Sequence, residues 1–526
     1  MPRIEVLVIG GGATGVGVAR DLALRGVRTM LLERSDFCSG SSGANHGMLH
    51  SGARYALSDA QSARDCASEN EILRKVAGFC IQDCGGVFVR TALTPEGHKE
   101  SFLKALKDLG IANQPLSGSE LRVREPRLAP EIDEGIAVRD ASIDPFALVL
   151  ANVRSARQAG AEIRNYAEVR SFKLGRGGVE EVLARDATKG ETIRIKPELV
   201  VNASGASAGH ISSMVGLSLP LLVDKGSMLV FDGRLVNGLV NHLRPAADGD
   251  VLVPSHSATI AGTTSTQHMR PGKATATKEE SKRLLHEAAL LVPAVKEARM
   301  VRAFAGLRHL RSDSGLGRGA SRSHQVIDHR DQGIDNMVSL TGGKLTTYRL
   351  MAERCADLVC QKLGVRSRGI TAREPLGPSP DLRQFPRLSS WSRLRMSSRY
   401  GPLATEVAKH CLRSERGLEV ACSCEYVLRG ELDFFAKDED VRGLDDLMRR
   451  TRAGMGYCQG GLCVMKLASV LHERKKCDAR EVIGTFLEER AKGIEMVLEG
   501  PQLRQEVLKM YLLAGTYGLR KQGGEG

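Results

Sequence analysis

The first 33 residues constrain this chain more than any other stretch. Ile4–Ile9 is a short apolar run bounded by glycine, as a strand buried on both faces requires. It leads into Gly10-Gly11-Gly12-Ala13-Thr14-Gly15, then a helical pattern through Arg25 that Gly26 stops. A second strand, Arg28–Leu32, ends on Glu33, 18 residues beyond Gly15. This is a βαβ unit with glycines at its first turn. Gly10 permits the tight turn, Gly12 lets backbone approach a pyrophosphate, and Gly15 allows close helix–strand packing. The helix N-terminus then offers free amides and its positive dipole end to phosphate, and Glu33 stands where it can accept from ribose hydroxyls. The pattern predicts a dinucleotide site, but it does not by itself separate FAD from NAD.

Length and composition set the rest of the frame. A chain of 526 residues has room for two or three domains with proper cores. No stretch approaches the roughly 18 apolar residues that span a bilayer. Met1-Pro2-Arg3 runs straight into the first strand, so the reading expects no leader and a cytoplasmic protein. The net charge of +13 raises nucleic acid as a partner, but aromatic content of 4% offers few stacking platforms for bases. Much of the excess lies in residues 365–400, where eight arginines meet only Glu374 and Asp381. With Pro375, Pro378, Pro380, Pro386 and the single tryptophan, Trp391, this stretch reads as a basic linker (366–405) or a docking segment. Twelve cysteines without an export signal argue against a disulfide framework.

A second strand-like segment, Glu198–Val201, runs into Asn202-Ala203-Ser204-Gly205. It resembles the strand that closes the FAD site in flavoproteins of the D-amino-acid-oxidase type. That resemblance implies an α/β fold: a Rossmann-type FAD-binding domain interleaved with an α+β substrate domain. Short β-like runs at Leu221–Phe231, Val251–Pro254 and Thr259–Gly262 suit the inserted sheet. Met337–Gly343 and the helix after it suit a third FAD-domain segment.

Three clusters carry the chemistry: His46-Gly47-Met48-Leu49-His50-Ser51-Gly52-Ala53-Arg54-Tyr55, Ala305-Gly306-Leu307-Arg308, and Thr341 through Arg349. Together they resemble the family of FAD-containing catalytic A subunits of anaerobic glycerol-3-phosphate dehydrogenase. The resemblance implies FAD-binding segments at about 1–80, 145–210 and 325–365 within a catalytic region 1–365. It implies cofactor contacts at Gly10, Gly12, Ala13, Thr14, Gly15, Glu33, Arg34, Ser42, His46, Ala203, Gly205, Gly343, Lys344, Leu345 and Thr346. It also implies oxidation of sn-glycerol 3-phosphate to dihydroxyacetone phosphate. A phosphate dianion calls for two or three cations, and Arg54, Arg308 and Lys344 are the candidates. His50 is the candidate base or its orienter, because imidazoles as a class titrate near neutral pH. Tyr55 is a candidate for positioning substrate or flavin. Each of these cations also suits an ordinary ion pair. A dicarboxylate such as 2-hydroxyglutarate would attract the same set, an amino acid such as proline would suit the same scaffold, and a non-catalytic electron-transfer protein is a third reading. The chain departs from the family at His309, where relatives usually carry proline, and at Ser204–Ser207, which lacks a common tryptophan.

Further on, Cys422-Ser423-Cys424 and Cys458-Gln459-Gly460-Gly461-Leu462-Cys463 stand 33 residues apart. The C-x-C…C-x4-C spacing resembles the bacterioferritin-associated-ferredoxin type of [2Fe–2S] module, which implies four thiolate ligands in a small helical domain at 406–480. Zinc is the competing reading, although a C-x-C pair is tight for it. Helix is expected at Leu444–Arg452, and amphipathic helices at about Ala479–Leu498 and Gln502–Tyr517 make up a tail, 481–526. Trp391, the basic linker and this tail are candidate docking surfaces. The family further implies two partners: a second flavin subunit, and an iron–sulfur subunit that reaches the quinone pool at the inner face of the cell membrane.

Overall fold

A computed structural model describes residues 4–268, 274–311, 323–516 and 518–519. Its first sheet runs, from edge to edge, Gln325–Asp328, Met337–Thr341, Pro197–Asn202, Ile4–Ile9, Thr29–Leu32 and Glu162–Arg164. All neighbours pair parallel except the antiparallel edge strand Gln325–Asp328. Val6, Leu7 and Val8 are wholly buried at its centre, which is why that run carries no alternation. Helices Ala13–Leu24, Pro145–Gln158 and Tyr348–Leu363 cover one face. The other face packs on a meander of Ala167–Gly175, Gly178–Asp186 and Thr192–Ile195. The strands thus come from three separate stretches of the chain, and their C-terminal ends open on one side, where α/β sheets bind ligands.

A second, larger sheet is inserted between these stretches. Its centre is the long pair Leu221–Asp232 and Met300–Arg311. From Leu221–Asp232 it continues through Ala258–Gly262, Val251–Ser255, Leu239–His242, Gly86–Val89, Glu134–Val138 and Asn113–Ser117. The expected antiparallel character holds except at one junction: Leu239–His242 pairs parallel with Gly86–Val89. Helix Lys278–Leu291, opened by a Thr277/Glu280 capping box, buries Leu284, Ala288 and Leu291 against this sheet.

The C-terminal part is helical around a core of its own, including Leu432, Leu447, Leu467, Leu471 and Phe486. Helix Ser390–Tyr400, inside the stretch read as linker, contributes Met396 and Tyr400 to that core. Helix Ala479–Ile494, inside the stretch read as tail, contributes Ile483 and Phe486, and Ile494, Val497 and Leu498 go on to pack on the inserted sheet. The last helix is Gly500–Thr516; the expected end at Tyr517 lies outside the described residues.

Ion pairs tie this helical part to the dinucleotide domain. The buried Asp36 carboxylate accepts from Arg449 at 2.6 Å and from Arg450 at 2.9 and 3.0 Å. Asp440 takes a bidentate pair from Arg157 at 2.7 and 2.9 Å. Arg452 bridges Asp144 at 3.1 Å and Glu425 at 3.2 Å. The basic run Arg449–Arg452 is therefore a docking element within the chain.

Candidate active site

The site begins at the first turn. Gly10 has φ of +115°, and a Cβ there would lie 2.6 Å from the Ala203 carbonyl oxygen, so only glycine lets the two strand ends approach. The N-cap of helix Ala13–Leu24 is Gly12, which has no side chain to cap it, and the first turn holds no acid; Ser42 Oγ accepts from the Ala13 amide at 2.9 Å. Its amide end faces a cavity of about 1360 Å3, larger than the roughly 300–1,000 Å3 of ordinary small-molecule sites. Gly10, Gly12, Thr14, Glu33, Arg34, Ser42, His46, Ala203 and Gly205 line it. Both Glu33 carboxylate oxygens are already engaged, by the Gly11 amide at 2.6 Å and the Ser35 amide at 2.8 Å. Each keeps a lone pair, so Glu33 shapes the turn as well as facing the cavity. Burial pushes its carboxyl up, against those two amides. A helix N-terminus opening at glycine, a glycine cradle and an acid beyond the second strand suit the diphosphate and ribose of a dinucleotide.

Two of the residues expected at the cofactor, Gly15 and Thr346, line neither this cavity nor the smaller one beside it. A Cβ on Gly15 would sit 2.0 Å from the Gly10 oxygen and 3.4 Å from the Ala203 Cβ, so this glycine serves helix–strand packing. Thr346 is buried, and its hydroxyl accepts from the His50 backbone N–H at 3.1 Å. It fixes the histidine loop from behind.

A second cavity of about 590 Å3 shares Thr14, Ser42 and His46 with the first and is lined by Ala13, Gly343, Lys344 and Leu345. It brings together His50, Arg54, Tyr55, Arg308 and Lys344, from three stretches of the chain, with His50 and Lys344 294 residues apart. The His50 and Tyr55 rings lie 5.2 Å apart, and His46 meets His50 edge-on at 6.2 Å. Lys344 Nζ stands 4.3 Å over the Tyr55 ring and donates to Ser62 Oγ at 3.0 Å. Neither arginine stands as a bare cation. Arg54 pairs with Asp250, which also takes Arg244 at 2.8 Å. Arg308 pairs with Asp224 and donates to Thr263 Oγ1 at 2.8 Å and the Thr264 carbonyl at 2.6 Å. These acids aim the guanidinium forks and lower the charge the cavity presents.

Asp224, Asp250, Ser62 and Asp140 escaped the sequence reading, because each is an ordinary polar residue until the fold sets it beside a cation or a loop. Asp140 is buried, accepts the Ser51 amide at 2.7 Å, and is pushed up to about 6 by burial. His309, the family departure, lines both cavities, with its ring 3.7 Å from where a Gly205 Cβ would stand. Burial pushes its imidazole down to about 4, so it is neutral at pH 7.

The four expected metal ligands lie close together. Cys424 Sγ is 3.9 Å from Cys422 Sγ and 3.3 Å from Cys458 Sγ, and Cys463 hydrogen-bonds to Cys422. Cys422 is pulled below the usual thiol range by Cys424 and Cys463, with help from the Gly454 and Glu425 amides. Gly460 and Leu462 amides point at Cys458. A Cβ on Gly456 would come within 3.0 Å of Cys424 Sγ, so glycine is needed for the loop to close over the thiols. Four thiols with converging amides have the donor chemistry of a thiolate-bound iron–sulfur centre. Their donor chemistry fits, but their arrangement does not by itself form a metal site: among the described residues no group of three or more His, Cys, Asp or Glu side chains, these cysteines included, is disposed to hold a metal ion.

A parallel sheet with a dinucleotide turn, opening beside a cation-lined cavity, defines the class as a flavin- or nicotinamide-dependent oxidoreductase. The family model described as FAD dependent oxidoreductase matches residues 5–358. The anaerobic glycerol-3-phosphate dehydrogenase A subunit of Haemophilus influenzae is 37% identical, over 98% of this chain and 93% of its own. Its namesake from Escherichia coli K12 is also 37% identical, over 98% and 97%. The chain belongs to the FAD-dependent oxidoreductase family, among the A subunits of the anaerobic glycerol-3-phosphate dehydrogenase type. In fold it matches the FAD-complexed glycerol-3-phosphate dehydrogenase of Bacillus halodurans, with a TM-score of 0.71 at 22% identity over 95% of this chain and 97% of that one.

Proposed function

We propose that the protein oxidises sn-glycerol 3-phosphate to dihydroxyacetone phosphate and passes the electrons towards a quinone through partner subunits. FAD, when bound, supplies the acceptor for the hydride leaving C2. The chain's own residues do the rest. His50 takes the proton of the C2 hydroxyl, held in place by the Thr346 hydroxyl on its backbone and by the Tyr55 ring beside it. Arg54, Arg308 and Lys344 hold the phosphate, each aimed by a fixed neighbour: Asp250, Asp224 and Ser62. The observation that carries the reading is this one cavity, where an imidazole, a phenol ring and three cations adjoin the dinucleotide site.

The four cysteines then carry a [2Fe–2S] cluster within a module at 406–480, able to move electrons singly. The reading is supported by the gathered sulfurs and the amides aimed at them. The partners are two further subunits, one carrying a second flavin and one carrying iron–sulfur centres that brings the assembly to the membrane; the relatives are named as subunits of a larger enzyme. Among the described residues no helix is long and apolar enough to cross a membrane. His50→Gln tests the assignment: kcat should fall by roughly 10²–10⁴ with KM nearly unchanged, the usual worth of a positioned base. An unchanged kcat would contradict it.

A further inference from the structure

One wall of the second cavity contains a side chain that neither the sheet nor the ion pairs use. Asn241 lies on strand Leu239–His242, facing Val251 on one side and Phe88 on the other. It is 1% exposed, and neither its carboxamide oxygen nor its nitrogen has a hydrogen-bond partner among the described residues. Such a group is costly, since a buried amide gives up its water and here gets nothing from the protein in return. Leucine or valine would fill this buried strand position, between Val251 and Phe88, without that cost. A polar group kept at such a site points to a ligand that completes it.

We propose that Asn241 binds the hydroxyl groups of the substrate and so sets its class as a vicinal diol rather than a dicarboxylate. This rests on the reading of the cavity as a polyol-phosphate site. A carboxamide offers one acceptor and one donor edge, and adjacent hydroxyls offer the matching pair. A second substrate carboxylate could satisfy only the amide nitrogen and would set its charge against the carboxamide oxygen. The cations hold the phosphate end, whereas Asn241 reads the carbinol end. A site built to hydrogen-bond a hydroxyl penalises analogues that lack it far more than an apolar pocket does, because its own polar atoms are then left unpaired.

The test uses the full-length FAD-loaded protein and two variants, Asn241→Leu and Asn241→Ser, with thermal melting and anaerobic flavin reduction as readouts. In Asn241→Leu the expected result is at least a tenfold rise in the glycerol 3-phosphate concentration needed for half-maximal reduction. The substrate-free melting temperature should be unchanged or higher, with FAD still bound one to one. Asn241→Ser, which keeps one donor and acceptor, should recover part of that loss. An unchanged half-saturating concentration in Asn241→Leu overturns the proposal. So does a lower melting temperature with unchanged substrate dependence, which marks a structural amide. If wild type is reduced by another substrate and not by glycerol 3-phosphate, the polyol-phosphate reading falls first. The same titration then runs with that substrate, and the Asn241 assignment falls with it if that substrate has no vicinal hydroxyls.

Discussion

Asp140 lies buried behind the histidine loop, where its carboxylate accepts the Ser51 amide. Burial pushes it up to about 6, and the Ser51 amide offsets only part of that. The sign for stability follows. Between about pH 4 and 6 the unfolded chain loses this proton while the folded chain keeps it, so the group erodes stability as pH rises through that window. Asp140→Asn should therefore raise stability at pH 7–8 by about 2–3 kcal/mol, with the gain vanishing below pH 4; denaturant melts across pH check it. A gain that persists at pH 3.5 would assign the effect to packing. With Arg308 proposed to hold the substrate phosphate, Arg308→Ala should cost a charge-assisted contact of about 1.5–3 kcal/mol, a rise in KM of ten- to more than a hundredfold in steady-state assays. At this scale the sequence was half legible. His50, Arg54, Arg308 and Lys344 stood out because the short glycine-containing clusters that hold them resemble the family pattern. Asn241, Asp224 and Asp250 did not, since their meaning arises from strand pairings formed far along the chain. The one local signal was a polar pair, Asn241-His242, inside the apolar run from Leu239 to Leu243.

Among the elements, the dinucleotide unit was the most legible, because turn chemistry and strand burial act over a few residues. The strand Ile4–Ile9 has the expected bounds, and the next begins at Thr29, one residue after Arg28. The docking of helix Leu444–Thr451 was not legible: Arg449 and Arg450 have a partner only where the fold sets Asp36 opposite them. Burial would raise Asp36, yet Arg450 and Arg449 hold it below the usual carboxylate range. Its contribution is thus present above about pH 4 and is lost as pH falls through its depressed value. Asp36→Ala leaves two arginines facing a buried gap, and breaking such a pair costs about 3–5 kcal/mol. Hydrogen exchange should then show faster opening of Leu444–Thr451 than of strand Ile4–Ile9; equal protection in variant and wild type would contradict the clamp.

In the whole molecule, the helical part that carries the four cysteines is clamped to the dinucleotide domain, and Met448, Arg452 and Gln459 from it help to line the dinucleotide cavity. Anaerobically prepared protein should hold about two irons and two labile sulfides per chain besides its FAD. Stoichiometric zinc without sulfide would make the module structural. Cys458→Ser should remove the iron while leaving substrate reduction of the flavin near its wild-type rate, and transfer to the partner subunits should fall. The central claim concerns the substrate, and anaerobic flavin bleaching tests it most directly. Glycerol 3-phosphate should abolish the oxidised flavin absorbance, while glycerol, 2-hydroxyglutarate and proline at equal concentration leave it unchanged. Bleaching by glycerol alone, or by the dicarboxylate or amino acid in preference to glycerol 3-phosphate, would contradict the account.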